Sequence, residues 1–311
     1  MVARAAAPVV DWLWKLQCAL NRPLLGRELA PARFDAIDGI DVVGVPAPPA
    51  ASVELCVVVI THARPEACRA LVDALQVALR QAGLDGRTFV IVLQDDCDAD
   101  YQSARAALHA RFPGRFAYYV ASEHLGKPGF WFTYQTAFRC VRALGAKFTL
   151  FLQDDVTFSS NLVRDALTRF DAIEDERKAA LYLCAMPDDE IDGRWIRARR
   201  VELPRQALRL TRWLDLQAFL AHERFFECLH HEVFPSPASR WARDASRSSG
   251  VGEQFTRRLF GRANVYQVRD TLVYHGESPS LMNADARAQR SLDNRPQLSA
   301  RSGAKAHESS G

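Results

Sequence analysis

The chain has 311 residues and a formal net charge of +3 at pH 7, with 48% hydrophobic and 25% charged residues. This length allows one large domain or two small ones, the composition is that of a globular protein, and the small net charge gives no reason to expect a nucleic-acid partner. The 7 cysteines are scattered and form no C-x-x-C pair. This argues against a disulfide framework or a zinc ribbon and favours a reducing cytosol.

The first 50 residues are predicted to be an extension of the main domain. Residues 9–20 carry apolar side chains at helical spacing, and residues 44–53 are rich in Pro and Ala, as in a linker. The helix either packs on the main domain or lies on a membrane surface. No segment reaches the roughly 18 apolar residues of a transmembrane helix, and we recognise no signal peptide. We therefore expect a cytoplasmic protein, with peripheral contact to the inner face of the membrane as the open alternative.

From residue 54 onward, apolar runs alternate with helical patterns. The predicted strands are 54–60, 88–93, 115–121 and 148–152. The predicted helices between them are 66–81, 100–111 and 130–144, with residues 126–129 as a loop. This order predicts an α/β fold, in which a mostly parallel sheet has helices on both faces. We expect the domain to span residues 51–290 and residues 291–311 to form a disordered tail.

Two of these strands end in the same three residues, Gln-Asp-Asp. The acidic pairs are Asp95–Asp96 and Asp154–Asp155. The carboxyl ends of parallel strands meet at one edge of a sheet, where ligands bind. Buried carboxylates need a cation nearby, and their oxygens suit Mg²⁺ or Mn²⁺. The pattern predicts a shared ligand site that contains a divalent metal, and the alternative is that Asp154 and Asp155 only cap the following helix.

The ordered set of motifs resembles the GT-A fold glycosyltransferases, especially the family 2-like enzymes. The resemblance rests on residues 57–61 with Arg64-Pro65, residues 90–96, Gly126-Lys127 and residues 151–155, and it extends loosely over 213–282. It implies a GT-A fold with a nucleotide-sugar-binding half at 54–165 and an acceptor-side half at 166–290. It also implies a hexosyltransferase-type enzyme of polysaccharide biosynthesis, which moves a sugar from a nucleotide-sugar donor to a glycan or lipid-linked hydroxyl acceptor.

The resemblance places the nucleotide at the loops that follow the first two strands. Thr61, Arg64, Asp95 and Asp96 are the residues expected to hold it. Lys127 is expected to reach a phosphate oxygen of the donor, and the alternative is an ordinary exposed loop lysine.

The resemblance also assigns the metal site. Gln153-Asp154-Asp155 matches the Asp-x-Asp motif of the family, but Gln153 replaces its first acid. Asp155 is therefore the expected ligand of Mn²⁺ or Mg²⁺, with Asp154 beside it near the donor. His275 is expected either to be a third metal ligand or to donate a hydrogen bond to a phosphate. Because of Gln153, a non-catalytic glycosyltransferase-like protein is one alternative. A nucleotidyltransferase is another, although the loop 61–65 lacks the glycines typical of that class.

The acceptor side is predicted to begin near residue 213. Glu253 follows a Gly-rich loop at a helix start, where inverting enzymes of the family have their catalytic base, and Asp244 is the reserve candidate. Trp213 either stacks on an acceptor sugar or packs in the core. We expect direct displacement with inversion. The arginine-rich run 194–212 is either a basic rim for an anionic acceptor or membrane, or a solvated surface, and no nucleic-acid-binding motif accompanies it.

Overall fold

The computed structural model describes residues 33–43, 53–185, 201–203, 208–211, 214–236, 239–242 and 248–275, together with Trp12, Leu13 and Leu16. All of these except His275 belong to one compact unit, residues 1–274. The strands are β1 (Phe34–Gly39), β2 (Leu55–Thr61), β3 (Thr88–Gln94), β4 (Phe116–Ala121), β5 (Phe148–Gln153), β6 (Val156–Phe158), β7 (Lys178–Tyr182), β8 (Val201–Leu203), β9 (Leu208–Thr211), β10 (Ala218–His222), β11 (Asn264–Val268) and β12 (Val273–His275). The helices are α1 (Pro65–Gln81), α2 (Gln102–Arg111), α3 (Gly126–Leu144), α4 (Leu162–Asp171), α5 (Glu223–Cys228), α6 (Ser239–Ala242) and α7 (Val251–Leu259).

Ten of the described strands form one sheet, in the order β1-β4-β3-β2-β5-β10-β7-β11-β9-β8. The central strands β4, β3, β2 and β5 are parallel to one another, and β7 and β11 are parallel as well. The strands β1, β10 and β9 each run antiparallel to their neighbours and therefore oppose the other strands. The predicted α/β fold with a mostly parallel sheet is confirmed, and a separate two-stranded sheet joins β12 to β6.

The core lies between the central strands and the helices that cover them. All residues of β2 and β3 are buried, which explains why their sequences are continuous apolar runs. Helix α1 begins at Pro65, whose missing N–H is tolerated at a first helical position, and it buries Leu71, Leu75 and Leu79 on one face. The chain leaves α1 through Gly83, whose φ of 69° suits glycine.

Helix α3 begins at Gly126 and not at the predicted Phe130, so the predicted loop over residues 126–129 is wrong. The reason is a cap from another part of the chain. The Asp95 carboxylate accepts the backbone N–H of Leu125 at 2.6 Å and that of Gly126 at 3.0 Å. Pro128 lies in the first turn, where its missing N–H costs no hydrogen bond. A cap so distant in sequence leaves no local pattern.

Strand β1 is not predicted from the sequence. It lies within the first 50 residues and pairs antiparallel with β4 at one edge of the sheet. Its sequence, Phe-Asp-Ala-Ile-Asp-Gly, is half polar and mostly exposed, and it therefore lacks the apolar run of the central strands. At least residues 34–39 of the expected extension thus belong to the sheet.

Three residues of the predicted amino-terminal helix are described. Trp12, Leu13 and Leu16 are helical, and they are 59%, 50% and 37% exposed. The membrane-surface alternative for this segment stays a prediction. Within the described part of the chain, no helix has the length and apolar character needed to cross a membrane.

A buried arginine joins α7 to the turn after α5. Arg258 is 1% exposed, and its guanidinium donates hydrogen bonds to the backbone carbonyls of Leu229, at 2.6 Å, and Glu232. His230 and His231 lie between these carbonyls, and both have positive φ, at 55° and 52°. This conformation is unfavourable for residues other than glycine, so the contacts of Arg258 help to hold it.

Candidate functional site

The carboxyl ends of β2, β3 and β5 lie side by side. Thr61 of β2 is in register with Gln94 of β3, and Ile60 of β2 is in register with Gln153 of β5. The two acidic pairs that follow β3 and β5 therefore flank the loop that follows β2. This is the edge at which open α/β sheets bind ligands.

Asp154 is buried at this edge and is only 6% exposed. Its Oδ2 accepts a hydrogen bond from the Thr61 hydroxyl at 2.7 Å and another from the backbone N–H of His62 at 3.1 Å. Burial, together with the nearby Asp155, raises the pKa of Asp154 from 3.8 to about 6, although the hydrogen bond from Thr61 opposes part of this rise. The carboxylate is therefore charged at neutral pH at a cost in stability.

Arg64 faces both carboxylates. Its Nη1 lies 2.9 Å from Asp155 Oδ2 and 3.5 Å from Asp154 Oδ1, and its side chain is 13% exposed. The loop that carries Arg64 is fixed by Tyr101, whose hydroxyl accepts the Arg64 backbone N–H at 2.9 Å and lies 2.8 Å from the Thr61 hydroxyl. Tyr101 is not predicted from the sequence, because only the fold brings its loop against β2.

The carboxylates fit a hard divalent cation by their chemistry. Asp154 and Asp155 both turn oxygen atoms toward one cationic group, and carboxylate oxygens are ligands that Mg²⁺ and Mn²⁺ prefer. The amide nitrogen of Gln153 is used elsewhere, since Nε2 donates a hydrogen bond to the Leu216 carbonyl at 3.3 Å. The alternative that these two aspartates only cap the next helix does not describe their contacts, which are with Thr61, His62 and Arg64.

Asp95 lies on the other side of the β2 loop, between two histidines. Its Oδ2 is 3.1 Å from His124 Nδ1 and 3.9 Å from His62 Nδ1. The two imidazole rings are stacked, with centroids 4.8 Å apart. Neither histidine is predicted from the sequence, since a single histidine in a loop carries no pattern. Asp96 is exposed, so of this acidic pair it is Asp95 that faces the other loops.

Lys127 and His275 each lie at one end of a helix or strand and not in a loop. Lys127 is partly buried in the first turn of α3, and its role at a phosphate stays a prediction. His275 is the last residue of β12 and the first residue of the second compact unit, and its role at a metal also stays a prediction. Trp213 and Asp244 lie outside the described residues.

Glu253 lies in the first turn of α7, as predicted. One carboxylate oxygen is 2.8 Å from Arg240 Nη1, and the other pairs with Arg257 one turn along the helix. An acceptor hydroxyl would have to share these oxygens with the two guanidinium groups. The helix start is packed tightly, because a Cβ atom on Gly252 would lie 2.4 Å from the carbonyl oxygen of Leu214.

Comparison with known proteins gives only distant similarity. No family model matches the chain, and no curated protein matches it. S. aureus TarS 1–349 in complex with UDP-GlcNAc is 16% identical, with a TM-score of 0.48, over 74% of this chain and 60% of that chain. The mannosyltransferase PcManGT from Pyrobaculum calidifontis, in complex with GDP-Man and Mn2+, is 14% identical, with a TM-score of 0.49, over 92% of this chain and 72% of that chain. This chain thus covers less than two thirds of TarS 1–349.

Proposed function

We propose that this protein is a glycosyltransferase that moves a sugar from a nucleotide-sugar donor to a hydroxyl acceptor. The observation that carries the proposal is the pair of buried carboxylates, Asp154 and Asp155, which Thr61 and Arg64 hold at the carboxyl ends of β2 and β5. A pair of buried carboxylates at the ligand edge of an α/β sheet, one of which has a raised pKa, is typical of a functional site. The motifs that resemble GT-A enzymes lie around this pair.

The donor diphosphate is proposed to bind next to these carboxylates. Asp155 and Asp154 would hold Mn²⁺ or Mg²⁺, which when bound supplies positive charge to the departing diphosphate. Arg64 supplies a second positive charge at the same place, and Lys127 is proposed to contact a phosphate oxygen. The hydrogen bond from Thr61 keeps Asp154 in a fixed orientation.

The proposed reaction is a direct displacement with inversion. The acceptor oxygen forms a bond to the anomeric carbon while the bond from that carbon to the diphosphate oxygen breaks, and the acceptor proton passes to a carboxylate. We assign this role to Glu253, with Asp244 as the alternative. Arg240 and Arg257 position the Glu253 carboxylate at the start of α7. The acceptor is proposed to be a glycan or a lipid-linked sugar, with Trp213 stacked against it.

Calorimetric titration tests the donor site. UDP-GlcNAc and GDP-Man serve as probes, each with and without Mn²⁺. We expect one of them to bind in the presence of Mn²⁺ and to bind at least tenfold more weakly to Asp155→Asn. Asp171→Asn, which changes an exposed aspartate at the end of α4, is the matched control.

In the same titration, Glu253→Gln should bind the donor normally. In a turnover assay with acceptor present, this variant should release no nucleoside diphosphate. Unchanged turnover would move the base to Asp244. If neither probe nor any nucleoside diphosphate binds under any of these conditions, the proposed function is wrong. Binding of a nucleoside triphosphate together with a sugar phosphate would favour a nucleotidyltransferase instead.

A further inference from the structure

We propose that His62, Asp95 and His124 form a transition-metal site, separate from the Asp154–Asp155 pair. One nitrogen of each imidazole and one carboxylate oxygen all lie within 4.8 Å of one another. Ligand atoms around a tetrahedral zinc ion are about 3.4 Å apart, given metal–ligand bonds of about 2.1 Å. The three groups are thus close enough to share one ion once the stacked His62 and His124 rings rotate so that a nitrogen of each faces Asp95. Metal binding at this site can be tested without the proposed glycosyl transfer, although the resemblance also assigns Asp95 to the nucleotide.

The environment of His62 favours a ligand at this place. Its Nδ1 is buried and has no hydrogen-bond partner among the described residues. A buried polar atom in this state costs free energy, and coordination to a metal ion would recover it. The His62 side chain is 33% exposed and that of His124 is 59% exposed. An ion therefore has a path into the cluster, and a fourth coordination position is open to water.

Asp95 is already oriented as a metal-binding carboxylate usually is. The backbone N–H groups of Leu125 and Gly126 each donate to one of its oxygens, and each oxygen keeps a second lone pair for a metal. The Asp95 backbone N–H donates to the Thr61 carbonyl at 3.0 Å. His62 and Asp95 therefore directly follow two adjacent strands, β2 and β3, and His124 lies in the short loop between β4 and α3.

The donor atoms also decide which metal this cluster prefers. Two imidazole nitrogens and one carboxylate oxygen suit Zn²⁺ or Co²⁺ better than Mg²⁺. The Asp154–Asp155 pair offers only oxygen and prefers Mg²⁺ or Mn²⁺. The amino terminus of α3 carries partial positive charge that opposes a cation, and the Asp95 carboxylate, which accepts the N–H groups of Leu125 and Gly126, offsets that charge. The two sites can thus be distinguished by metal.

Metal titration of the full-length, metal-free chain tests the proposal. We expect one equivalent of Zn²⁺ to bind by calorimetry and Co²⁺ to give the visible absorption of a four-coordinate ion. His62→Ala and His124→Ala should each weaken binding at least tenfold. Asp155→Asn should leave it unchanged. His109→Ala is the matched control, since His109 is an exposed histidine whose Nε2 lies 2.6 Å from a single aspartate, Asp38.

Three outcomes would overturn the proposal. The first is Zn²⁺ affinity that is the same in the wild type and in the folded His62→Ala/His124→Ala double variant. The second is a wild-type Kd for Zn²⁺ above about 1 mM. The third is displacement of Zn²⁺ by excess Mg²⁺, which would place the ion at Asp154–Asp155. Thermal melting shows that each variant is folded. Binding should also weaken in acid, because imidazole must lose its proton to bind a metal.

Discussion

Among the described residues, buried charge lies in two places, and it is stabilised differently in each. At the end of β5, Asp154 and Asp155 face the guanidinium of Arg64, and burial still raises the pKa of Asp154. In α7, the guanidinium of Arg258 donates to main-chain carbonyls, including that of Leu229. The second arrangement uses its hydrogen bonds to fix the fold. The first retains a stability cost that folding alone does not require, as expected of a group kept for a ligand.

The largest effect is expected for Arg258→Ala. The substitution removes buried hydrogen bonds to the Leu229 and Glu232 carbonyls and leaves a cavity, so the free energy of unfolding should fall by about 4–5 kcal/mol. Arg258→Lys should recover only part of this loss, because lysine lacks the planar fork that reaches two carbonyls. Chemical denaturation measures both, with the exposed Arg139→Ala as a control within about 0.5 kcal/mol of wild type. If Arg258→Ala lowers the free energy of unfolding by less than Arg64→Ala does, Arg258 is not the buried charge that contributes more to the stability of the fold.

Arg64→Ala should cost about 3–4 kcal/mol, because it leaves buried carboxylates without their guanidinium. Unlike the loss at Arg258, this loss should be partly restored by Mn²⁺, which supplies positive charge to the same oxygens. Thermal melting with and without Mn²⁺ measures the difference. An equal rise in Tm for the wild type and the variant would mean that Mn²⁺ does not bind between these carboxylates.

The same contrast shows what can be predicted from the sequence. Asp154 and Asp155 are predicted because a strand buried on both faces is an unbroken apolar run, and acids at its end stand out. Arg258 is not predicted, since a basic residue in the last turn of a helix usually lies in solvent. Its role depends on carbonyls of a turn that the fold brings against α7. Tyr101 is missed for the same reason, as the fold alone places its hydroxyl beside Thr61.

The smallest effect concerns the pH dependence of stability. The Asp154 pKa is about 6 in the folded protein and 3.8 ordinarily. Because folding raises the Asp154 pKa, the folded state binds more protons than the unfolded state between pH 3.8 and pH 6. The stability that protonated Asp154 contributes is full below pH 4 and is lost as the pH rises through 6. Between pH 4 and pH 7 the wild type should therefore lose about 2–3 kcal/mol relative to Asp154→Asn.

Denaturation of both proteins at pH 4 and pH 7 measures this difference, in which the titration of groups distant from Asp154 cancels. Asp171→Asn, at an exposed site, should follow the wild type. If the gap between Asp154→Asn and the wild type is the same at both pH values, burial does not penalise the Asp154 charge. A stability cost of the buried charge would then not distinguish the Asp154 site from the Arg258 site.

Strand β1 has a consequence for how the chain behaves among its own copies. It covers the outer side of β4, a strand in which five of six residues are buried. A chain shortened to begin at residue 51 would present the main-chain N–H and C=O groups of β4 to solvent. An uncovered edge of an apolar strand is a template on which strands of other molecules can add. The half-polar segment at residues 34–39 thus protects the sheet against self-association.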